Sequence, residues 1–531
     1  MSATTLTFDQ DLARPAVNPW LIAVVVAMAA FMEVLDTSIA NVALPYMAGD
    51  LAASNDQSTW VLTSYLVSNA IVLPISGWLA GALGRKRFFM GCLVVFTISS
   101  LLCGMAPSLG LLLFFRVLQG AGGGGLQPMA QAILADTFPP HQRGLAFALY
   151  SITAILAPTV GPTLGGWITF NYTWRWIFFI NLPVGVAALF LVYRLIQDPP
   201  YLSRLKRAGI RLDYVGIALL TLGIGALQIL LDKGQEDDWF GSRFIVTLAV
   251  IAVVCLISLV IWEWRHEAPI IDVKLFKSFN FASTNLMFFM LGILLFSSLV
   301  MMPLFLQTLL GYTAEIAGFA LSAGGLVLLV QAPIVGQLTT KVQARYLIAF
   351  GWLALALGML YSTRRIDLLM SFSSALWLRV IQVVGLGFLF VPITLVAYVG
   401  VPAEKNNSVA GMVNFMRNMG SSVGTSFVTT MLARRSQYHQ EILVGHLTPG
   451  SPVFQGATSG LAQELAHSPA AFHGGTALAY ARFYRGLQAQ AASLAYIDTF
   501  KALAVAAGIM FFLAFILRRN EPGGGGRVVA D

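Results

Sequence analysis

At 531 residues, 57% hydrophobic and only 11% charged, the chain is far too apolar for a soluble domain, where about a quarter of residues carry charge. Its mean hydropathy of +0.76 indicates a polytopic membrane protein. The formal net charge of +8, with no basic run interleaved with aromatics, fits cytoplasmic loops and excludes nucleic acid as a partner.

Fourteen apolar spans follow in order, near residues 20–44, 60–80, 87–106, 109–134, 145–169, 175–195, 213–231, 244–263, 280–309, 315–337, 346–362, 375–399, 407–432 and 496–517. The first is too long for a signal-peptide core and contains acidic residues, so it reads as an uncleaved signal anchor. An even count puts both termini on one side. Loops on that side carry Arg85, Lys86, Arg87, Arg143, Arg204, Lys206, Arg207, Arg211, Arg265, Lys274, Lys277, Lys341 and Lys405. Those opposite carry Arg175, Lys233, Arg243, Arg364 and Arg365. Both ends are therefore expected in the cytoplasm. The long loop 433–495 lies outside, with His439, His446, His467 and His473; their spacing suggests no metal site, and a solvated, partly helical loop is expected. Residues 518–531, with Gly523–Gly526, read as a flexible cytoplasmic tail. Cys92, Cys103 and Cys255 all fall inside spans, as small buried hydrophobes.

Three features carry chemistry. Span 5 holds Ala157-Pro158-Thr-Val-Gly161-Pro162-Thr-Leu-Gly165-Gly166-Trp167. A membrane helix tolerates such prolines when its neighbours satisfy the freed backbone. Gly161 and Gly165 share a face that admits another helix, so a kinked helix at a moving seam is expected. Ionisable and amide residues form the second feature: Glu33 and Asp36 in span 1, Arg116 in span 4, Arg379 in span 12, and Asn414, Arg417 and Asn418 in span 13. Such residues at membrane depth are functional suspects. Asp36 and Arg116 both lie about eight residues, roughly 12 Å, below the outer face. They can pair if their helices are neighbours, either as a separable pair that couples proton binding to conformation or as a static pair that sets register. Glu33 has no obvious partner and is open to three readings: a cationic-substrate site, a second proton site or a cavity-lining group. Third, the loop after span 2 reads Gly77-Trp-Leu-Ala-Gly81-Ala-Leu-Gly84-Arg85-Lys86-Arg87. Gly77 and Gly84 permit a tight turn there, and the cations hold the cytoplasmic side.

A weak internal repeat orders these spans. Pro74-Ile-Ser-Gly77-Trp-Leu79 recurs as Pro333-Ile-Val-Gly336-Gln-Leu338, and Arg116-Val-Leu-Gln119 as Arg379-Val-Ile-Gln382. Spans 1–6 and 9–14 are read as related halves suited to alternating access, with spans 7 and 8 inserted between them. The domains expected are a cytoplasmic N-terminus (1–19), a six-helix bundle (20–196), a linker with two extra transmembrane helices (197–279), a second six-helix bundle including the periplasmic loop 433–495 (280–517), and the tail.

At these residues the chain resembles the major facilitator superfamily. More narrowly it is similar to the fourteen-span drug:proton antiporter-2 subfamily typified by EmrB and QacA, EmrB-type members above all. Leu35-Asp36-Thr-Ser-Ile-Ala-Asn41-Val-Ala43-Leu-Pro45 looks like the span 1 motif, Arg116-Val-Leu-Gln119-Gly120 the span 4 motif, and Gly161-Pro162-Thr-Leu-Gly165-Gly166 the antiporter motif of span 5. Trp174 to Gly185, with Phe178-Phe179-Ile180-Asn181, and Asn414-Phe-x-Arg417 support the EmrB-type assignment. Gly81 departs from the family's loop motif, which usually has an acidic residue there.

The resemblance implies an all-α, non-enzymatic, proton-coupled antiporter in the bacterial inner membrane, exporting drugs or other hydrophobic compounds. The proton gradient is its only energy source, with no cofactor and no metal. Asp36 is expected as the main proton site, Arg116 its modulator, and Glu33 a further coupling group. Asn41, Gln119, Arg379, Asn414 and Arg417 are cavity or coupling candidates. Pro158, Gly161, Pro162, Gly165 and Gly166 form the conformational seam, and Gly77, Gly84, Arg85 and Lys86 the cytoplasmic gating loop. Besides lipid and protons, the implied partners are a periplasmic adaptor (membrane fusion protein) and an outer-membrane channel. The alternatives are a dedicated exporter of fatty acids, aromatic acids or siderophores on the same scaffold, and a non-transporting membrane sensor.

Overall fold

The computed structural model describes residues 18–199, 213–266, 269–445, 450–466, 475–518 and 522; it is helical throughout, with no strand among those residues. Arg204, Lys206, Arg207, Arg211, His446, His467, His473, nearly all of the expected N-terminal segment and most of the tail lie outside them. The elements are α1 (Pro19–Asp50), α2 (Asn55–Leu83), α3 (Arg85–Met105), α4 (Leu109–Gly123), α5 (Leu126–Thr137), α6 (Pro140–Asn171), α7 (Trp176–Phe179), α8 (Asn181–Leu195), α9 (Tyr214–Lys233), α10 (Arg243–Arg265), α11 (Phe279–Thr308), α12 (Ala314–Leu338), α13 (Ala344–Arg365), α14 (Phe372–Ala397), α15 (Asn406–Gly445), α16 (Pro452–Ala466) and α17 (Gly475–Ala514). Several start on sequence signals: Ser54 and Gln57 close a capping box on α2, and Ser108, Thr313 and Ser371 cap α4, α12 and α14.

Among the described residues, 13 helices are long and apolar enough to cross a membrane. The expected span 407–432 is helical, inside the 40-residue α15, but does not join them. Asn406, Asn407, Asn414, Arg417 and Asn418 dilute its apolar character. The expected span 109–134 is interrupted between α4 and α5 at Gly124–Gly125. Much of loop 433–495 is regular helix, because α15 and α17 run on well past the apolar segments and α16 packs on α17.

The helix packing explains where the glycines fall. α1 packs on α6 and α11 on α15; α4 packs on α2 and α3, and α14 on α12 and α13. Two further contacts, α6 with α12 and α2 with α15, join the earlier helices to the later ones. α9 lies against α2, α10 and α15. Where backbones approach most closely the sequence has no side chain: a Cβ on Gly420 would overlap the Phe289 carbonyl, and one on Gly424 would lie 2.6 Å from the Ile293 oxygen.

The span 5 motif has a specific explanation. α6 continues as a helix through Pro158 and Pro162. Pro162 has no N–H, so the Pro158 carbonyl four residues earlier loses its helical donor. The Ser38 hydroxyl of α1 donates to that carbonyl at 3.1 Å. Gly161 leaves the room Ser38 needs, and Gly165 sits 3.1 Å, as an ideal Cβ, from Ile39; Gly166 reaches only Val42, at 4.0 Å. These residues therefore lock α6 onto α1. The contact of α6 with α12 uses the other face, where Gly318 meets Thr163 and Gly325 meets Thr159. The helix that the Gly161 and Gly165 face admits is α1.

Candidate functional site

Equal depth in neighbouring helices brings Asp36 and Arg116 together. Arg116 Nη1 donates to Asp36 Oδ2 at 2.6 Å, and the two residues are 0% and 2% exposed. The other carboxylate oxygen accepts from Gln119 Nε2 at 2.9 Å and from Asn181 Nδ2 at 2.7 Å. Gln119 returns a bond by accepting from Arg116 at 2.8 Å, and Arg116 Nε donates to the Val61 carbonyl at 3.1 Å. The guanidinium lies over the Tyr65 ring, 4.3 Å from its centroid. Carboxylate and guanidinium so paired in a dry core form a high-stakes unit. Removing one partner of such a pair costs about 3–5 kcal/mol, because the other is left buried and charged.

Glu33 lies one helical turn before Asp36 and is held by partners that the sequence did not single out. Tyr65 Oη donates to it at 3.1 Å and Asn69 Nδ2 at 3.0 Å, while Gln127 Nε2 donates to its other oxygen. Tyr65 thus touches both units: its ring carries Arg116 and its hydroxyl holds Glu33. Gln127 is a two-way bridge, since its carbonyl accepts from Arg417 Nη2 and, at 3.2 Å, from Tyr150 Oη. Tyr150 also donates to Asn414 Oδ1 at 3.4 Å, Asn414 Nδ2 donates to Gln131 at 2.8 Å, and Asn418 Nδ2 donates to Asn69 at 3.1 Å. A continuous polar path therefore runs from the Glu33 carboxylate of α1, through α5, to the Arg417 guanidinium of α15. Arg417 also lies 5.5 Å from the Phe390 ring centroid.

A second cluster ties α3 and α5 to the start of α15. Arg85 Nη1 donates to Asp136 at 2.6 Å and its Nε to Asn407 Oδ1 at 2.8 Å; Asn406 Nδ2 donates to the other Asp136 oxygen at 2.6 Å. Lys86 donates through its backbone N–H to Asp198 at 2.7 Å and through Nζ to the Tyr193 carbonyl at 2.6 Å. Gly84, at φ 94°, makes the turn between α2 and α3. Gly77 does not: it lies within α2, its ideal Cβ 2.8 Å from Ser408 Cα, so it permits α2 to touch α15. Gly81 has nothing near its Cβ position, and Asp136 is a carboxylate that Arg85 meets.

The remaining candidates lie elsewhere. Asn41 is exposed and stands outside these networks. Arg379 is 1% exposed and donates to Ser298 Oγ at 3.0 Å. His439, with Arg435, meets Asp498 at 2.7 Å where α15 approaches α17.

Helices long and apolar enough to cross a membrane thus carry a buried charge pair, Asp36 with Arg116, and polar ties to their packed neighbours. The family profile described as Major Facilitator Superfamily matches residues 26–425, and the chain belongs to that superfamily. It is 41% identical over 435 residues to the multidrug export protein EmrB of Haemophilus influenzae, covering 82% of this chain and 84% of that one. It is 38% identical over 442 residues to the fatty acid resistance protein FarB of Neisseria gonorrhoeae, covering 82% and 85%. The EmrB-type resemblance carried by the motifs agrees with these relatives. Among solved structures, the proton:xylose symporter XylE superposes with a TM-score of 0.59 at 16% identity, covering 96% of this chain and 97% of that one, a likeness of fold.

Proposed function

We infer that this protein is a proton-coupled antiporter that exports drugs or other hydrophobic compounds across a bacterial inner membrane. The observation that carries the reading is Asp36, a buried carboxylate in α1 whose oxygens are held by Arg116, Gln119 and Asn181. A proton arriving on Asp36 removes the charge that Arg116 neutralises and turns one oxygen from acceptor to donor. The α1–α4–α8 contact then loses its strongest bond, and the balance between two packings shifts. Glu33, tied through Gln127 to Arg417, extends that sensitivity to α15. Proton binding on the α1 side is thereby felt across the contact between the early and late helices.

The layout that serves this is two six-helix bundles, α1–α8 and α11–α17, with α9 and α10 inserted. The pairings α1–α6 and α2–α4 recur as α11–α15 and α12–α14, which supports the repeat read from Pro74/Pro333 and Arg116/Arg379. α15, which holds span 13, brings the count of spans to fourteen. It packs on α2, α5, α11 and α17, so its asparagines and Arg417 face protein, which a helix exposed to lipid could not afford. The Arg85–Asp136–Asn406 cluster sits beside Arg87 and Lys405, which supports a cytoplasmic location by the positive-inside rule, as a clamp that opens for substrate. Both termini then lie in the cytoplasm. The helical lobe of α15, α16 and α17 lies in the periplasm, where an adaptor (membrane fusion protein) leading to an outer-membrane channel would meet it.

The test is the drug susceptibility of an efflux-deficient bacterium expressing the wild type or Asp36→Asn, over lipophilic cations, uncoupler-like weak acids and fatty acids. Broad resistance lost in the variant is expected; export by Asp36→Asn at normal abundance would refute the reading. The similarity to FarB favours a second reading, dedicated export of an acidic lipid. Protection against the fatty acids alone would select it.

A further inference from the structure

The internal repeat carries the arginine of the buried pair into the second half but not its acid. Arg116 follows Asp36 by 80 residues, and Arg379 follows Ser298 by 81. In both halves Nη1 of the arginine donates to that residue, at 2.6 Å to the Asp36 carboxylate and at 3.0 Å to the Ser298 hydroxyl. The glutamine three positions on is kept as well: Gln382 donates to Ser362 at 2.9 Å, where Gln119 meets Asp36 and Cys103. What changes is the charge. Ser298 is neutral and spends its proton on the Leu295 carbonyl at 2.8 Å. Arg116 Nε finds the Val61 carbonyl, whereas Arg379 Nε has no partner among the described residues. Among the described residues no carboxylate pairs with Arg379. Gly324 of α12 faces the same guanidinium, its ideal Cβ 3.2 Å from Nε, so any side chain there would crowd that nitrogen.

A guanidinium cannot shed its proton at any physiological pH. A buried cation without a counter-charge in a membrane protein is costly, and it persists where something pairs with it during function. We propose that Arg379, with Ser298, is an anion-binding site of the second half, which takes a monovalent anion: the carboxylate of an acidic hydrophobic substrate, or a free halide. The ligand oxygen or halide takes the place that the Asp36 carboxylate holds in the first half, accepting from the guanidinium and from Ser298 Oγ once the hydroxyl turns from Leu295. The first half thus carries the exchangeable proton and the second neutralises the anionic head of the ligand. As a substrate subsite this rests on the export reading above; as an anion site it does not.

The experiment measures thermal unfolding of the full-length protein in lipid nanodiscs. Sodium bromide is compared with sodium gluconate at equal ionic strength, and 2-naphthoate with its uncharged analogue 2-naphthamide. A ligand that binds only the folded state raises Tm with its concentration, here by at least about 2 °C near saturation. Ser298→Asp places a carboxylate beside Arg379, as in the first half, and is expected to fold and lose that shift; Arg379→Gln should lose it too. A shift with bromide, lost in Ser298→Asp, supports the site as one for free anions. A shift with 2-naphthoate alone, absent with the amide and lost in Ser298→Asp, supports the substrate carboxylate. No shift in the wild type, or an undiminished shift in Ser298→Asp, overturns the proposal. Because the readout is binding, an anion response in a wild type that gives no export would reject the export reading and leave the site standing.

Discussion

Gly77→Ala should part α2 from α15 beside the Arg85–Asp136 pair. Gly77 lies where α2 meets the start of α15, and an added Cβ would stand 2.8 Å from Ser408 Cα and 2.9 Å from Ser408 N and Asn407 O. All three are backbone atoms, so no side chain can swing away. α2 and α15 must separate by roughly 0.7–1 Å to reach ordinary carbon contact. Overpacking of this kind costs about 1–3 kcal/mol. That cost falls only on the conformer in which the helices touch, so the ratio of open to closed rises about 5- to 150-fold. A population about 1% open becomes roughly 5–60% open. Gly81→Ala, one turn on, is the control, because nothing lies within 4 Å of its Cβ position. Spin labels at the exposed residues Leu83 and Glu404, in a protein whose native cysteines have been replaced, report the separation by pulsed dipolar spectroscopy. A longer-distance population is expected in Gly77→Ala and not in Gly81→Ala. Coincident distance distributions would refute the reasoning.

Other outcomes follow from the same geometry. Arg116→Lys should abolish export while the protein remains folded, because one ammonium cannot reach Asp36, Gln119 and the Val61 carbonyl at once; wild-type resistance at equal membrane abundance would contradict this. Gln127→Leu removes the bridge between Glu33 and Arg417. With hydrogen bonds to charged groups contributing about 1.5–3 kcal/mol, export measured in inverted vesicles should slow at least about tenfold, and an unchanged rate would show that the bridge is idle. Gly420→Val drives a side chain into the Phe289 carbonyl and should yield no monodisperse protein on size-exclusion chromatography, whereas Gly508→Val, with open space at its Cβ position, should elute as the wild type.

Hydropathy made most of the helices legible, since a span must be a long apolar run with its backbone bonded internally. It failed where other constraints governed. α15 is too polar to be scored as apolar because it packs on α2, α5, α11 and α17, and the extended ends of α15 and α17 read as loop because their surfaces are Ala-, Gln- and Arg-rich. Depth alone placed Asp36 opposite Arg116, since two residues equally far from a membrane face can meet if their helices touch. The Glu33 partners were not legible: Tyr65, Asn69 and Gln127 are ordinary polar residues in two other elements, and no spacing in the chain ties them to α1. Gly77 was misplaced for a related reason. A glycine near a turn and a glycine at a helix crossing look alike in sequence, and only Gly84, with its positive φ, serves the turn. The Pro158–Pro162 motif was legible as a tight contact but not as to its partner, because the Ser38 hydroxyl that satisfies the freed carbonyl lies 120 residues away.

The most direct test of the account is proton release in proteoliposomes reconstituted with the wild type or Asp36→Asn and containing a pH-sensitive dye. With an imposed proton gradient, addition of an exported compound should accelerate dissipation of that gradient in the wild type and leave it unchanged in Asp36→Asn. Equal substrate-driven proton movement in both proteins would contradict the assignment of Asp36 as the coupling carboxylate.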